Sequence, residues 1–425
     1  MSFNEWRIIS FEESGLEIED GDRGKNYPKK NELLDKGYCP FLNNKNLIGD
    51  EINFNEVDFI TKEKDEVLRK GRVRINDIIL TTRGSIGNVG YFSSRLKYSF
   101  ARINSGMVII RANHLFYPPY LYQLLKSPYM KMQYKSFSTG SAQPQLPIRD
   151  IKKLNLILPP YNEQKAIADI LSSLDEKIEL NNQMNQTLEE MAQALFKRWF
   201  VDFEFPNEEG QPYKSSGGEM VESELGMIPK GWELSSVYDL GDYINGTSFK
   251  KNDYSEHGVP IIKIAELKQG ITSGTRYFKG DKDKKYYLEN GDILFSWSGN
   301  PDTSIDTFIW HRGDAILNQH IFKVVPNYKV NGSYIYSLLK YFKPMFAETA
   351  RNKQTTGLGH VTVSDLKRIK TTLDKEICRK YHSICESIIE QIINNNLENN
   401  MLIKLRDTLL PKLMSGEIRV SDFES

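Results

Sequence analysis

Residues 159–199 read PPYNEQKAIADILSSLDEKIELNNQMNQTLEEMAQALFKRW, and this stretch decides the architecture of the chain. After two prolines, which stop the preceding segment, apolar and asparagine positions recur in alternating steps of four and three. These positions are Ile167, Leu171, Leu174, Ile178, Asn181, Asn185, Leu188, Ala192, Leu195 and Trp199. A seven-residue period of this length predicts one long helix with a coiled-coil seam. We expect Asn162 to cap it and Glu163 to lie in its first turn, where negative charge suits the helix dipole.

The same spacing returns near the end of the chain, where Asn181 has its counterpart in Asn395. The second seam consists of Tyr381, Cys385, Ile388, Ile392, Asn395, Asn399, Leu402, Arg406 and Leu409, and only Arg406 is charged. Each seam carries two asparagines near its centre. An antiparallel pair of helices would bring the two polar layers together, which costs stability but fixes the register. The sequence therefore assigns a register function to Asn181, Asn185, Asn395 and Asn399.

The segments before the two helices are also duplicated. YQLLK at 122–126 returns as YSLLK at 336–340, and Asp150-Ile151-Lys152 returns as Asp365-Leu366-Lys367. So long a period is not that of a solenoid. We predict an α+β protein with a first module at 1–158, a central helix at 159–205, a second module at 206–372 and a C-terminal helix at 373–425.

Short apolar runs and helical spacing within the modules predict their elements. The expected strands are Ile75–Leu80, Met107–Ile110, Asp292–Phe295 and Ile321–Val325, and the expected helices are Tyr120–Lys135 and Tyr334–Phe346. From Trp6 to Asp77 is 71 positions, whereas from Trp232 to Asp292 is 60. We assign the 11 extra residues of the first module to one basic loop at 20–31.

Composition and charge indicate where the protein works and what kind of ligand it can attract. The chain has 425 residues with a formal net charge of zero, no apolar run long enough to span a bilayer and three cysteines, which together predict a cytoplasmic protein without a membrane partner. The net charge of zero conceals a segregation of basic and acidic residues along the chain. Residues 69–155 carry 15 basic and 2 acidic side chains, whereas 156–230 carry 6 and 14. A positive surface on the modules can attract phosphate even though the whole chain is neutral.

Apparent catalytic and metal motifs fail on inspection, so we expect no catalytic residue and no metal ligand. Leu158-Pro-Pro-Tyr lacks the polar first residue that an amino-methyltransferase motif needs, and so does Tyr117-Pro-Pro-Tyr. The glycines at 84, 87 and 90 form neither a dinucleotide nor a Walker pattern and are interpreted as a turn. Cys378, His382 and Cys385 share a helix face without a fourth ligand, which favours packing.

At this point the chain resembles the specificity subunits of type I restriction-modification systems over essentially its full length. The resemblance is carried by residues 159–181, by IPKGWEL at 228–234, by GDILFS at 291–296 and by LLPKLMSGEI at 409–418. The second helix departs from the family's opening, since LDKE at 373–376 replaces the Pro-x-x-Glu-Gln pattern.

The resemblance implies defence against foreign DNA by a multi-subunit enzyme, of which this chain is the non-catalytic part. Two target-recognition domains would read the halves of a split, asymmetric site in double-stranded DNA, and the helices would set the spacer. The helices would also dock two modification subunits, which use S-adenosylmethionine to methylate adenine. Restriction subunits, which use ATP and Mg²⁺, would complete the enzyme. The alternatives are a protein scaffold without DNA and a fragment of a fused restriction enzyme.

Polar and basic side chains that follow strands or helices are the candidates for DNA contact, since base reading needs hydrogen-bonding side chains on loops. In the first module these are Arg23, Lys25, Arg83, Ser85, Lys135, Thr139, Ser141, Gln143 and Gln145. In the second module they are Ser298, Asn300, Arg351, Lys353, Gln354, Thr355 and His360. The two sets differ in composition, which suits two different half-sites.

Overall fold

The computed structural model describes residues 6–49, 51–139, 144–354 and 358–420. These residues form two compact units. The first unit comprises the described residues of Met1–Lys177 and Leu402–Ser425, and the second is Ile178–Met401. Both units mix helices with sheets, so the predicted α+β class with an internal repeat is confirmed.

The first unit contains twelve strands among its described residues. They are β1 Arg7–Ser10, β2 Glu17–Asp20, β3 Cys39–Leu42, β4 Leu47–Ile48, β5 Glu51–Ile52, β6 Asp58–Ile60, β7 Arg72–Arg74, β8 Ile78–Thr81, β9 Val89–Tyr91, β10 Phe100–Ile103, β11 Met107–Arg111 and β12 Asn155–Leu158. A main sheet has the order β2-β11-β8-β9, and a second sheet has the order β6-β3-β10-β7. The pairs β1-β12 and β4-β5 form two-stranded sheets.

The second unit continues the numbering. Its strands are β13 Met220–Ser223, β14 Gly226–Pro229, β15 Glu233–Ser236, β16 Gly241–Asn245, β17 Tyr254–Ser255, β18 Val259–Ile262, β19 Tyr277–Phe278, β20 Tyr287–Leu288, β21 Ile293–Ser296, β22 Ser298–Gly299, β23 Asp306–Ile309, β24 Ala315–Leu317, β25 Ile321–Pro326, β26 Gly359–His360 and β27 Lys370–Leu373. The main sheet is β16-β25-β21-β23, and the second sheet is β17-β19-β18-β24-β20. The described residues of this unit also form three two-stranded sheets, β13-β14, β15-β27 and β22-β26.

The helices follow the same order in both repeats. They are α1 Lys62–Val67, α2 Pro118–Lys126, α3 Pro128–Phe137, α4 Ile148–Ile151, α5 Tyr161–Phe200, α6 Ile264–Gln269, α7 Gly332–Tyr341, α8 Lys343–Arg351, α9 Val363–Arg368 and α10 Lys375–Ser415. The single helices predicted at 120–135 and 334–346 are therefore wrong, because each is two helices. Pro128 and Pro344 lie at the start of the second helix of each pair, where their missing N–H does no harm.

Central strands of the main sheets, β8 and β11 in the first module and β21 in the second, are buried on both faces, which explains their unbroken apolar runs. In β8, Ile78 and Leu80 belong to the core beneath α2 and α3, whereas Ile79 belongs to the core against the second sheet. In β21, Phe295 belongs to the core beneath α7 and α8, and Leu294 belongs to the core against the second sheet. Because side chains alternate across a strand, each main sheet stands between helices on one face and the second sheet of its module on the other.

Matching hydrogen bonds fix which residues of the two modules correspond. A Cβ at Gly21 would lie 2.2 Å from the Asn104 carbonyl oxygen, and one at Gly246 would lie 2.1 Å from that of Asn318. Only glycine allows these close approaches. Asn104 N donates to Leu42 O at 2.8 Å, just as Asn318 N donates to Ile262 O at 3.0 Å.

These equivalences correct the predicted single insertion at 20–31. From Gly21 to Leu42 is 21 positions against 16 from Gly246 to Ile262. From Leu42 to Asp77 is 35 positions against 30 to Asp292. The extra residues are therefore split about evenly between the segments before and after β3. The sequence could not locate them, since both segments are rich in turns.

The long helices α5 and α10 begin differently from the prediction. Asn162 is not the cap, because α5 already includes Tyr161 after the two prolines. Glu163 does lie in the first turn, where it accepts a hydrogen bond from the Trp6 indole at 2.8 Å and pairs with Arg419 at 2.8 Å. At the start of α10, the Asp374 side chain accepts from two backbone N–H groups at 2.9 Å, so an aspartate cap replaces the proline opening.

The asparagine layers of the two helices meet as predicted. Within the second unit, Asn181 Nδ2 donates to Asn399 Oδ1 at 2.9 Å, and Asn395 Nδ2 donates to Asn185 Oδ1 at 2.8 Å. The partner number falls as the helix number rises, so the two helices pair antiparallel. Amide groups on one helix thus find amides on the other, and a shift in register would leave buried amides unsatisfied.

Arg406, the charged residue in the second seam, belongs to an ion-pair network within the first unit. Asp175 of α5 accepts from Arg406 at 2.9 Å, from Lys126 at 2.6 Å and from Gln123 at 3.0 Å. Lys126 closes the YQLLK sequence of α2, and its side chain is 7% exposed. Burial raises the pKa of Asp175, but the charge of Lys126 and the three hydrogen bonds lower it by more. The net pKa of this carboxyl therefore lies below its ordinary range. The network anchors α2 to α5.

We expect Asp175→Asn to lower the free energy of unfolding by about 1–3 kcal/mol, because it leaves the nearly buried Lys126 ammonium without its carboxylate. A folded-state pKa below the unfolded value means that this stabilisation is complete above about pH 4 and is lost as the pH falls through the folded pKa. Urea unfolding at several pH values measures both effects.

The matched control is Glu176→Gln, one residue further on. Glu176 pairs with Arg95 at 2.5 Å, but the two side chains are 53% and 70% exposed, so the change should cost less than about 1 kcal/mol. Equal effects of the two substitutions would contradict an anchoring role for Asp175.

Candidate nucleic-acid interface

Three strand ends meet at one edge of the main sheet in the first module. Strands β2 and β8 end where β11 begins, so that Asp20 lies across from Val108 and Thr81 from Met107. The backbone N–H of Thr82 donates to the Gly106 carbonyl at 2.8 Å, which joins the segments that follow β8 and precede β11. We call residues 82–88, 104–106 and the described part of 139–145 the first loop edge.

The predicted residues Arg83, Thr139 and Gln145 come together at the first loop edge. Gln145 pairs across backbone bridges with both Arg83 and Thr139. The N–H groups of Thr139 and Gln145 each donate to the other's carbonyl at 2.9 Å. Asn44 Nδ2 donates to the Arg83 carbonyl and fixes the turn from below. The fold thus places the backbone positions of an arginine and a glutamine side by side at this edge.

Ser85 and Lys135 lie beside this edge. Ser85 is exposed, and its carbonyl accepts from the Thr81 hydroxyl. Lys135 is exposed on α3 and lines an open groove of about 570 Å³ together with Ile86, Asn88 and Tyr134. Ser141 and Gln143 lie outside the described residues.

Arg23 and Lys25 follow β2 close to the same edge. Arg23 donates to the Ser105 carbonyl at 3.3 Å, but its charge is already paired with Asp20 at 3.0 Å. Lys25 is exposed. In the part of the chain that the structure describes, no acidic side chain pairs with Lys25, Arg83 or Lys135. These three cations are therefore available for a ligand.

The second module builds the same edge from different side chains. Ser298 pairs with His360 in the β22-β26 sheet, where the first module pairs Arg83 with Gln145. The N–H of Trp297 donates to the His320 carbonyl at 3.3 Å, where Thr82 donates to Gly106. We call residues 297–300, 318–320 and 358–360 the second loop edge.

Other predicted residues of the second module are engaged within the fold. Asn300 caps a turn, since its side-chain oxygen accepts from the N–H of Asp302 at 3.0 Å. Arg351 pairs with Asp302, and Lys353 pairs with Asp365, both at 2.5 Å. Gln354 is exposed, and Thr355 lies outside the described residues. The charges of Arg351 and Lys353 are therefore already balanced by carboxylates within the fold.

The Asp365 site shows why Lys353 favours a structural role. The Asp365 side chain is 2% exposed, and it accepts a hydrogen bond from the backbone N–H of Thr362 at the start of α9. Burial raises the pKa of Asp365, but the hydrogen bonds from Lys353, Thr362 and Arg368 lower it by more. The net pKa of this carboxyl therefore lies well below its ordinary range. The carboxylate is therefore charged, and removal of Lys353 would take away one of its two cationic partners, the other being Arg368.

Sequence reasoning missed two residues of the second loop edge, Trp297 and His320. The Trp297 indole donates to Asn245 Oδ1 at 3.2 Å, and its ring lies 5.2 Å from the His320 ring. No spacing in the sequence marks His320, because its place beside Trp297 depends on the pairing of β21 with β25.

Among the described residues, no group of His, Cys, Asp or Glu side chains is arranged to hold a metal ion. Cys378 and Cys385 are buried, and burial raises the pKa of both thiols. Within the same described ranges, no helix has the length and apolar character needed to cross a bilayer.

Comparison with known proteins agrees with this geometry. The type I restriction modification DNA specificity domain matches residues 16–190 and 229–399. The chain is 31% identical over 356 residues to the specificity subunit of the type I restriction enzyme MjaIX from Methanocaldococcus jannaschii, covering 81% of this chain and 78% of the relative. It is 27% identical over 383 residues to the HindI specificity subunit from Haemophilus influenzae, covering 74% and 81%.

A solved structure shares the fold. The S subunit of a type I restriction-modification system from M. genitalium superposes with a TM-score of 0.56 over 97% of each chain, at 16% identity. Because the family model covers most of the chain, the protein belongs to the type I restriction-modification DNA specificity family. It is a specificity subunit, which recognises DNA and is not itself an enzyme. The prediction made from the sequence is confirmed, and the scaffold without DNA is not favoured.

Proposed function

We propose that this chain recognises a bipartite, asymmetric site in double-stranded DNA, with each module reading one half. The observation that carries the proposal is the repetition of one loop edge with different side chains. Arg83 and Gln145 occupy the positions that Ser298 and His360 occupy in the second module. Two unlike readers on one repeated scaffold fit two unlike half-sites.

The chemistry of the first loop edge fits base reading. An arginine can donate twice to guanine O6 and N7, and a glutamine can pair with adenine N6 and N7. Arg83 and Gln145 are neighbours across a backbone bridge, so they could address adjacent base pairs. Lys25 and Lys135 are exposed cations that suit phosphate contacts, which position a protein on DNA without reading sequence.

The proposal assigns the unread spacer between the half-sites to the helices α5 and α10. A helix rises 1.5 Å per residue and is stiff over tens of ångströms. The paired asparagines, such as Asn181 with Asn399, support a fixed register between the helices. A fixed register is what a ruler needs.

The chain would work with partner subunits. Modification subunits, expected to be two, would bind S-adenosylmethionine and methylate adenine in the recognised site. Restriction subunits would use ATP and Mg²⁺ for translocation and cleavage. The support is that the relatives are specificity subunits of type I restriction enzymes.

The decisive experiment maps methylated adenines in host DNA with and without this chain. We expect methylation at one bipartite sequence only when the chain and its modification subunits are present together. The purified chain, incubated with labelled S-adenosylmethionine and plasmid, should transfer no methyl groups. An unchanged methylation pattern without the chain, or transfer by the chain alone, would overturn the proposal.

A further inference from the structure

The two loop edges differ most where residue 320 stands. His320 occupies the position that Gly106 occupies in the first module. The His320 carbonyl accepts from Trp297, which follows β21, just as the Gly106 carbonyl accepts from Thr82, which follows β8. A Cβ built at Gly106 would lie 3.8 Å from the Cβ of Arg83 and 3.1 Å from Asn44 Oδ1. In the first module, the space beside residue 106 is thus bounded by the side chains of Asn44 and of Asn104, whose Oδ1 would lie 3.3 Å away, and Arg83 lies at an ordinary van der Waals distance.

The second module reverses this arrangement of large and small residues. Small Ser298 stands where Arg83 stands, and large His320 stands where Gly106 stands. Each module therefore presents one long polar side chain at this point of its edge, but from a different loop. In the first module it comes from the loop after β8, and in the second from the loop before β25.

The backbone of His320 is strained. Its φ is +80°, a left-handed conformation that costs a residue with a side chain about 1 kcal/mol or more, whereas glycine adopts it freely. Only Asn76 and Phe203 share this feature among the non-glycine residues that the structure describes. Strain of this kind collects at functional sites, since selection for stability alone would favour glycine.

The side chain of His320 makes no hydrogen bond within the described fold that would offset the strain of its backbone. It is exposed, and across the described ranges its ring nitrogens bond to no other group. Its ring contact is with Trp297, at 5.2 Å between centroids and a tilt of 58°. Trp297 is in turn held by Phe322 at 5.7 Å and by its hydrogen bond to Asn245.

The loop that carries His320 is also clamped on both sides. Asn318 N donates to Ile262 O at 3.0 Å, Gln319 N donates to Thr247 O at 2.9 Å, and Gly246 N donates to Ile321 O at 3.0 Å. A side chain that reads bases must be held in place before the ligand arrives. His320 meets this condition although it lies on a loop.

We propose that His320 is a specificity-determining residue of the second module, which contacts base edges of the second half-site through its imidazole, and that Trp297 positions it. A neutral imidazole offers one donor and one acceptor, so it can hydrogen-bond to base edges in the major groove. The proposal rests on the proposed function, because it assumes that the second module reads DNA.

The test compares wild-type chain with His320→Gly, each assembled with its modification subunits. The target is first read from the adenines that the wild-type complex methylates. Binding is then measured to that target and to DNA with each base pair of the second half-site replaced in turn. We expect His320→Gly to lose about tenfold or more of the discrimination at one or two base pairs, and to keep its discrimination in the first half-site.

The thermal midpoint separates this effect from misfolding. Because glycine relieves the left-handed backbone, the variant should unfold at the same temperature as wild type or higher. The matched control is Asn76→Gly, which relieves a φ of +72° in a turn of the first module and should leave every base preference unchanged. Trp297→Phe keeps a ring against Phe322 and should weaken discrimination at the same base pairs as His320→Gly.

The outcomes are distinguishable. A wild-type complex that prefers no sequence would overturn the proposed function itself. A wild-type complex with a clear target, whose second half-site is discriminated equally well by His320→Gly, would overturn the role of His320 alone.

Discussion

Insertion of one heptad after Lys177 and one after Met401 is expected to lengthen the unread spacer of the target while both half-sites stay the same. The two positions are where the compact units divide, so each unit keeps its internal contacts. Seven residues preserve the phase of the seam. They add about 10 Å of helix, which corresponds to roughly three base pairs of DNA.

Mapping the methylated adenines of the insertion variant measures the new spacer directly. The control places the same seven residues in the exposed turn at Gly210, outside both long helices, where the target should not change. An active heptad variant with the original spacer would show that the helices serve as docking surfaces and not as a ruler.

The helical part of this protein was predictable because its period is local. Alternating steps of four and three place Ile167 and Leu171 on one face whatever the rest of the chain does, and both are buried. The asparagine layers followed from the same period. The duplication supplied the second pair of asparagines, and the antiparallel pairing of the helices brings Asn399 to Asn181.

The errors arose where tertiary structure decides. Tyr120–Lys135 has helical spacing throughout, but Pro128 makes the start of a second helix cheaper than the continuation of the first. Asn162 is a good capping residue in isolation, yet α5 begins one residue before it. The extra residues of the first module could be found only by matching hydrogen bonds such as that of Asn104 to Leu42.

The candidate site was predictable to the extent that it follows strand and helix ends. Arg83 and Gln145 were found in this way, and the structure brings them together. Lys353 met the same criterion, but Asp365 engages its charge from twelve residues further on. His320 met no criterion, because its exposure and its left-handed backbone become visible only in the folded chain.

Replacement of both Arg83 and Gln145 by alanine should weaken binding of the assembled enzyme to its target by about 2–6 kcal/mol, if each side chain makes a bidentate base contact worth about 1–3 kcal/mol. The loss should fall on the first half-site only, because both residues belong to the first module. Titration of target DNA, and of DNA altered in either half-site, measures the effect and its location.

Two comparisons give this result its meaning. Arg95→Ala removes an equally charged but 70% exposed arginine that pairs with Glu176, and it should change target affinity little. If Arg83 instead contacts phosphate, the double variant should lose affinity for all sequences alike, and the slope of affinity against salt should fall by about one charge. A double variant that keeps full affinity and full preference would remove the first loop edge from the DNA interface, because its guanidinium and its amide are the groups there best suited to read a base.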